Sequence, residues 1–463
     1  MSVTATPEDA AREELGSTFS GRLIGPSDPS YDEARALFNA MIDKRPALIA
    51  QCTSPDDAAA GIAFARSHDL LLAIRGGGHN GAGLGSVDDG VVVDLSPMRD
   101  VSVDPATGTV RVAGGCTWAD VDAATHEHGL AVPCGVISPT GVGGLTLGGG
   151  IGHLTRGCGL TIDNLLSAEL VLADGSQVTA SADENDDLFW AIRGGGGNFG
   201  VVTTFVFRAH PVSMVFGGPT FWALEDTPEL MAAYREFLPD APRELGGFFA
   251  FHIVPPAPPF PEELHMRKVC GVVWCHTGSE EEASQAMAPM LGVKEPLMHG
   301  VQQMPLPVLN SAFDGLYCPG DQWYWRADFL TEIPDPAIEA NLQWAEGMPT
   351  FKSGSHLYPI DGAAHDVPAD ATAWSHRDAV WSQVIIGVDG DPANAGAIRD
   401  WAVGYEESIR PYSTGAAYVN FMGEGDTRVQ ATYGDHYDRL ASTKAKYDPD
   451  NVFRVNQNIA PKA

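Results

Sequence analysis

The sequence predicts an α+β protein of two or three domains, the later part built on a broad antiparallel sheet covered by helices. Three observations lead there. A chain of 463 residues exceeds what a single core supports. Short apolar runs of strand length recur between segments of helical periodicity. The composition also changes along the chain: glycine clusters in the first half, while prolines and large aromatics increase after His210-Pro211.

Taken in order, residues 1 to 30 are polar and read as loose. Tyr31 to Met41 has helical periodicity, and Pro46 to Gln51 reads as a short strand. Ser54 with Asp57 forms a capping-box pattern opening a helix from Asp56 to His68. Leu70 to Ile74 is an apolar run leading into a glycine-rich loop, and Val91 to Asp94 leads out of it. Val101 to Val112 reads as a hairpin around D-P-A-T-G. Thr117 caps a helix that Gly129 stops. The spacing of His126 and His128 puts them on different helix faces, so they are solvated side chains rather than a metal pair. A second glycine-rich region spans Pro133 to Gly159. Strands follow at Ala168 to Ala173 and Gln177 to Ala180, a short helix at Asp187 to Ile192, then R-G-G-G-G-N-F-G and a strand from Val201 to Arg208. Phe248, Phe249, Phe251, Trp274, Trp323, Tyr324 and Trp325 lie in strand-like runs between helices such as Glu280 to Met290. Such alternating aromatics serve as core or as a ligand platform, core being the commoner use. After Ser413 come A-A-Y-V-N-F-M-G-E-G-D, a helix from Thr427 to Lys446, and an apolar-periodic tail expected to dock on a domain.

Charge and cysteine usage exclude several functions. The net charge is −32, from 28 basic and 60 acidic side chains. Nucleic acid needs a basic face, and anionic membranes repel an acidic protein. The acidity fits either a saline habitat or simple colloidal solubility. The seven cysteines, Cys52, Cys116, Cys134, Cys158, Cys270, Cys275 and Cys318, are scattered and lack metal-site spacing. No metal is expected, and most cysteines read as reduced, buried, small hydrophobes. The N-terminus lacks a signal-peptide core, and no apolar run reaches membrane-spanning length, so a cytoplasmic location is expected.

Arg75 to Gly85 reads R-G-G-G-H-N-G-A-G-L-G, six glycines around His79. Such a loop brings backbone close to a ligand and presents N–H groups to phosphate. The lone imidazole suggests a cofactor that is both wrapped and chemically attached. Gly76, Gly78 and Gly81 satisfy G-x-G-x-x-G, but a strand follows rather than a helix, which rejects a Rossmann nicotinamide site. Gly195, Gly197 and Gly200 fail the same test. No core-packing argument calls for the glycines between Gly135 and Gly152, whereas a large flat or phosphorylated ligand does.

Three motifs, R-G-G-G-H-N, G-V-G-G-L-T-L-G-G-G-I-G and Y-D-P-D-N-V-F-R-V-N-Q-N-I, occur here in that order. With them the chain, from about Tyr31 to Pro461, resembles a bacterial member of the berberine-bridge-enzyme group. That group belongs to the vanillyl-alcohol oxidase / p-cresol methylhydroxylase flavoprotein superfamily. The resemblance implies a two-subdomain FAD-binding domain over residues 31–212, a substrate domain inserted at 213–410, and a segment returning to the FAD domain at 411–463, after a loose 1–30. It implies a covalent bond from His79 to the flavin ring methyl, which a neutral imidazole is nucleophilic enough to make. Such a bond should raise the flavin's reduction potential. Many relatives add a cysteinyl bond, but Ile137 stands at that position and Cys134 reads as structural, so attachment through His79 alone is expected.

The same alignment implies that Thr140 sits at the oxygen-gating position. Arg75, Gly76, Gly77, Gly78, Asn80, Ser138, Thr140, Gly143, Gly144, Gly148, Gly149, Gly150, Gly200, Val201, Val202, Asn420, Asn456 and Gln457 are expected to bind the cofactor. Tyr418, in Y-V-N-F, is the first candidate base, helped by a cation or by burial, or else a hydrogen-bonding group. Arg326 assists it or binds a substrate oxygen, or simply pairs with Asp328. Glu424 is a weaker alternative base, and His153 and Cys158 stand where relatives often carry aromatics. The resemblance therefore implies a covalent FAD oxidase acting on an alcohol, amine or polyketide-like molecule of secondary metabolism, with dioxygen as acceptor. Its rivals are a dehydrogenase with another acceptor and a flavin-carrying binding or resistance protein. Oligomeric state is not legible.

Overall fold

The computed structural model describes residues 6–462. Its strands form three sheets. The first has four strands in the order Arg22–Ile24, Leu48–Gln51, Val91–Asp94, Leu72–Arg75. Its first pairing is antiparallel and the other two are parallel. Parallel neighbours need a long return connection. Between Arg75 and Val91 that connection contains no helix, so the glycine loop is laid out beyond the strand ends. The second sheet has five antiparallel strands: Val101–Asp104, Thr109–Ala113, Val201–Arg208, Leu165–Val171 and Gln177–Ser181.

The third is an eight-stranded antiparallel sheet, centred on Lys268–His276, Leu245–Ile253, Gly354–Pro359, Trp381–Asp389 and Gln322–Leu330. Side chains alternate across it with period two. Phe249, Phe251, Trp274 and Tyr324 pack in the core that includes residues of the helices Thr227–Phe237, Glu280–Leu291, Asp335–Glu346 and Ala395–Ile409. Phe248, Trp323 and Trp325 belong to a separate apolar cluster with Phe38, Tyr358 and Tyr418. The aromatic strands thus feed two apolar clusters, one on each face of the sheet.

Several expectations are corrected. Residues 7–30 are not loose: Pro7–Leu15 is a helix capped by Thr6 and Asp9, and Arg22–Ile24 joins the first sheet. Its anchor is Glu8, a buried carboxylate that accepts from the Ser27 N–H at 3.1 Å. Hydropathy does not signal such an anchor. Residues 1 to 5 lie outside the described chain. The helix at Tyr31 ends at Arg35, because Ala36 turns extended and sends Phe38 onto His79. The expected capping box is half formed. Ser54 accepts from the Asp57 N–H, but Asp57 accepts from Thr53 and Ser20 instead. Two short helices, Val142–Leu147 and Thr155–Cys158, lie inside the second glycine region, where glycine's poor helix propensity hid them. The helix expected over Thr427 to Lys446 is broken at Gly434, whose φ of +50° suits glycine, leaving Val429–Tyr433 and Tyr437–Tyr447. Tyr418 precedes the 3₁₀ turn Val419–Phe421.

The tail returns to the first half. Lys444, fully buried, pairs with Asp448 at 2.6 Å and donates to the carbonyls of Asn198 (2.6 Å) and Phe453 (2.8 Å). The Ile459 N–H donates to Asn198 Oδ1 at 3.0 Å. Among the described residues no helix is long and apolar enough to cross a membrane.

Candidate active site

A cavity of about 330 Å³ draws its walls from all three sheets, the two glycine regions and the C-terminal tail. Part of the wall is backbone: Gly76, Gly77 and Gly78, Gly143 and Gly144, and Gly196, Gly197 and Gly200. Another part is apolar: Phe38, Tyr317, Trp323, Trp325, Val384 and Ile386. Among the described residues Arg75 is the one lining side chain that carries a full charge, and its guanidinium is paired with buried Asp94 at 2.7 Å. That pair clamps the start of the loop to the neighbouring strand.

His79 lies on the cavity wall with its ring stacked on Phe38 at 3.9 Å between centroids. Burial lowers its pKa to about 4, opposed by a hydrogen bond with the Pro139 backbone. The imidazole is therefore neutral at pH 7. Asn80 shapes the loop by accepting from the Ala82 and Leu84 N–H groups. Gly77 is needed because a Cβ there would stand 2.4 Å from the Gly141 nitrogen, so the two glycine regions meet backbone to backbone. Ile137 lines the cavity; Cys134 does not, and its sulfur accepts from Asn310 Nδ2 at 3.3 Å. Thr140 also lines the wall.

Tyr418 Oη accepts two hydrogen bonds, from the Gly150 N–H and from Asn420 Nδ2, each 2.7 Å. These favour the phenolate, but burial has the larger effect and raises the pKa above the ordinary phenol range. Asn420 also donates to the Leu145 carbonyl at 3.0 Å. Asn456 donates to the carbonyls of Gly197 and Phe453, and the Gln457 carbonyl accepts from Asn198. Asn420, Asn456, Gln457, Gly200 and Val202 all reach the cavity.

Other predicted residues do not line it. Ser138 turns to Asp314, which its N–H and hydroxyl both reach. Gly148 and Gly149 instead make room for Asn420, Trp374 and Tyr418, and Gly150 for Thr161. Val201 packs in the core beneath the first sheet. Arg326 neither lines the cavity nor pairs with Asp328. Strand alternation turns it away from Trp325's side, where it lies 4.7 Å over the Tyr324 ring and donates to the Glu424 carbonyl. Asp328 pairs with Arg428 instead, at 2.6 Å. Glu424 is exposed, which removes it as a base. His153 is buried behind Phe248, and Cys158 packs near Leu154 and Cys275. Sequence reasoning missed Phe38, Gly196, Gly197, Asn198, Tyr317, His356 and Tyr358 as wall residues. For Gly196, Gly197 and Asn198 the signal was available in R-G-G-G-G-N-F-G; the others carry no motif.

The cavity fits FAD. At Gly144 and Gly197 an added Cβ would meet no protein atom within 4 Å, so the fold leaves room there that its own side chains do not fill. Buried Asn456 Oδ1, on a lining residue, has no protein partner.

Residues 46–181 match the family described as FAD binding domain, and residues 417–460 match the one described as berberine and berberine like. The chain is 30% identical to an FAD-linked oxidoreductase of Bacillus subtilis (strain 168), over 96% of this chain and 97% of that protein. It is 31% identical to (R)-6-hydroxynicotine oxidase of Paenarthrobacter nicotinovorans, over 96% of this chain and 98% of that one. The crystal structure of 6-hydroxy-D-nicotine oxidase from Arthrobacter nicotinovorans superposes with a TM-score of 0.86, at 26% identity, covering 96% of this chain and 99% of that one.

Proposed function

Because the chain belongs to the berberine-bridge-type FAD-linked oxidoreductases, we propose that it is an oxidase that tethers FAD through His79 alone. Its substrate is a largely apolar alcohol, or an amine taken up in its unprotonated form, and dioxygen is the acceptor. When bound, FAD supplies the group that takes up a hydride from the substrate carbon. His79 holds a neutral, nucleophilic nitrogen at the wall. Ile137 offers no thiol for a second bond. The glycine backbones and Asn456 receive the cofactor's polar parts, and the tail keeps that side closed.

The observation that carries this reading is His79, a neutral imidazole on a cavity wall of glycine backbone. The lack of an unpaired charge among the described lining side chains argues for an uncharged substrate, since an ionic one would be desolvated without compensation. Tyr418, kept protonated by burial, acts as a hydrogen-bond donor to the substrate. Thr140, a small side chain on the wall, leaves a path for dioxygen.

The His79→Ala variant tests the tether. Acid precipitation should leave FAD with the wild-type pellet and release it from the variant; FAD retained in the variant pellet places the bond elsewhere. Stopped-flow mixing of reduced enzyme with oxygen tests the acceptor, and slow reoxidation sinks the oxidase reading in favour of a dehydrogenase. Anaerobic flavin bleaching by a panel of alcohols and amines, (R)-6-hydroxynicotine among them, tests the substrate class.

A further inference from the structure

Strand Gly354–Pro359 carries His356 and Tyr358 two residues apart, on one face, and both line the cavity. Tyr358 Oη lies 2.7 Å from His356 Nδ1. His356 Nε2 lies 3.0 Å from His252 Nε2, on the adjacent strand Leu245–Ile253. The two Nε2 atoms share one hydrogen, so one imidazole donates and the other accepts. If Tyr358 donates to His356 Nδ1, then His356 donates onward and His252 accepts. His356 is 1% exposed and His252 5%.

Among the described residues no carboxylate, lysine or arginine hydrogen-bonds to any of the three. The other titratable groups bearing on them are His153 and Tyr317. Burial favours the neutral form of both imidazoles. Tyr418 differs. Its oxygen ends two hydrogen bonds and has no protein acceptor beyond it for a proton.

We propose that Tyr358, His356 and His252 form a proton relay that takes the hydroxyl or amine proton of the bound substrate, an acid–base set separate from Tyr418. This rests on the oxidase reading above. In the step, the substrate's O–H or N–H bond breaks and a new O–H bond forms on Tyr358. The hydrogen of Tyr358 passes to His356 Nδ1, and that of His356 Nε2 passes to His252 Nε2. His252 ends the step as an imidazolium that holds the proton. No electrons travel along the relay; the electron pair of the substrate C–H bond is what bound FAD takes up. Tyr358 is the catalytic residue, and His356 and His252 are positioning residues acting through it.

The test uses the holoenzyme with ¹⁵N-labelled histidine and 2-naphthol as a neutral probe with one ionisable hydroxyl. Binding is followed by perturbation of the flavin absorbance, and histidine protonation by NMR. In the wild type, 2-naphthol should move the His356 and His252 resonances together, and naphthalene should not. In Tyr358→Phe, 2-naphthol should still perturb the flavin while His252 stays unmoved. If that variant does not fold, His252→Asn serves: the probe binds, but the His356 tautomer no longer responds. Naphthol that fails to bind the wild type, that binds without moving the histidines, or that moves His252 equally in Tyr358→Phe overturns the relay. With a panel compound that bleaches the flavin, Tyr358→Phe and His252→Asn should each slow bleaching about tenfold or more. They should also remove its solvent deuterium effect, whereas Tyr418→Phe should keep that effect; retention of the effect in Tyr358→Phe also overturns the relay. If nothing bleaches the wild-type flavin, the oxidase reading fails and the NMR result still decides the relay.

Discussion

His153 shows how one side chain ties stability to pH. Both its ring nitrogens are buried without a partner, and burial lowers its pKa to about 4 from an ordinary 6.5. Between those values the unfolded chain binds a proton that the folded chain does not. Stability therefore rises with pH across the window and falls as pH drops from 6.5 toward 4. At pH 5 this residue alone should remove about 2 kcal/mol relative to pH 7. Substituting His153→Phe removes the titrating group and an unsatisfied buried polar side chain. Thermal melts of the holoenzyme at pH 7 and pH 5 should show a smaller drop for the variant; an equal drop in both assigns the pH dependence to other groups. At this scale His79 was legible because glycines bracket it. His252, His356 and Tyr358 were not, because a partner 104 residues away leaves no local mark.

The glycine regions separate two uses of one residue type. At Gly144, on helix Val142–Leu147, an added side chain meets open cavity. Gly144→Leu should leave the fold intact, because leucine is the better helix former by about 0.8 kcal/mol. It should nevertheless bind several-fold less FAD, measured as flavin per protein after purification. Unaltered flavin content would show that this part of the cavity is not the cofactor's. At Gly77 the obstruction is the Gly141 backbone, 2.4 Å from the added atom. Gly77→Ala should destabilise the protein by about 1–3 kcal/mol whether or not flavin is present, seen as a lower melting temperature. Both positions read alike in the sequence, which records glycine density but not what stands opposite each glycine.

For the molecule as a whole, the tail's return decides whether the cavity is complete. Lys444 and Asp448 are a fully buried pair whose ammonium also holds the carbonyls of Asn198 and Phe453. Removing the lysine leaves the Asp448 carboxylate buried without its counter-charge, held only by the Val452 and Phe453 N–H groups, a loss of about 3–5 kcal/mol. Lys444→Ala should lower the melting temperature and hasten FAD loss from a His79→Ala background, where the proposed tether cannot mask it. Unchanged FAD release there would mean the tail contributes only to stability.

By itself the sequence determined what local chemistry controls: strand and helix periodicity, the glycine loops that leave room for a ligand, the histidine those glycines bracket, and through the ordered motifs the family. Only the tertiary structure decided which distant side chains meet. Strand register set His252 against His356, and alternation turned Arg326 away from the cavity while Asp328 went to Arg428. The short Val419–Phe421 turn brought Tyr418 to the Gly150 N–H. Such pairings depend on how whole sheets pack, and periodicity along a strand specifies its buried face without specifying what that face will touch.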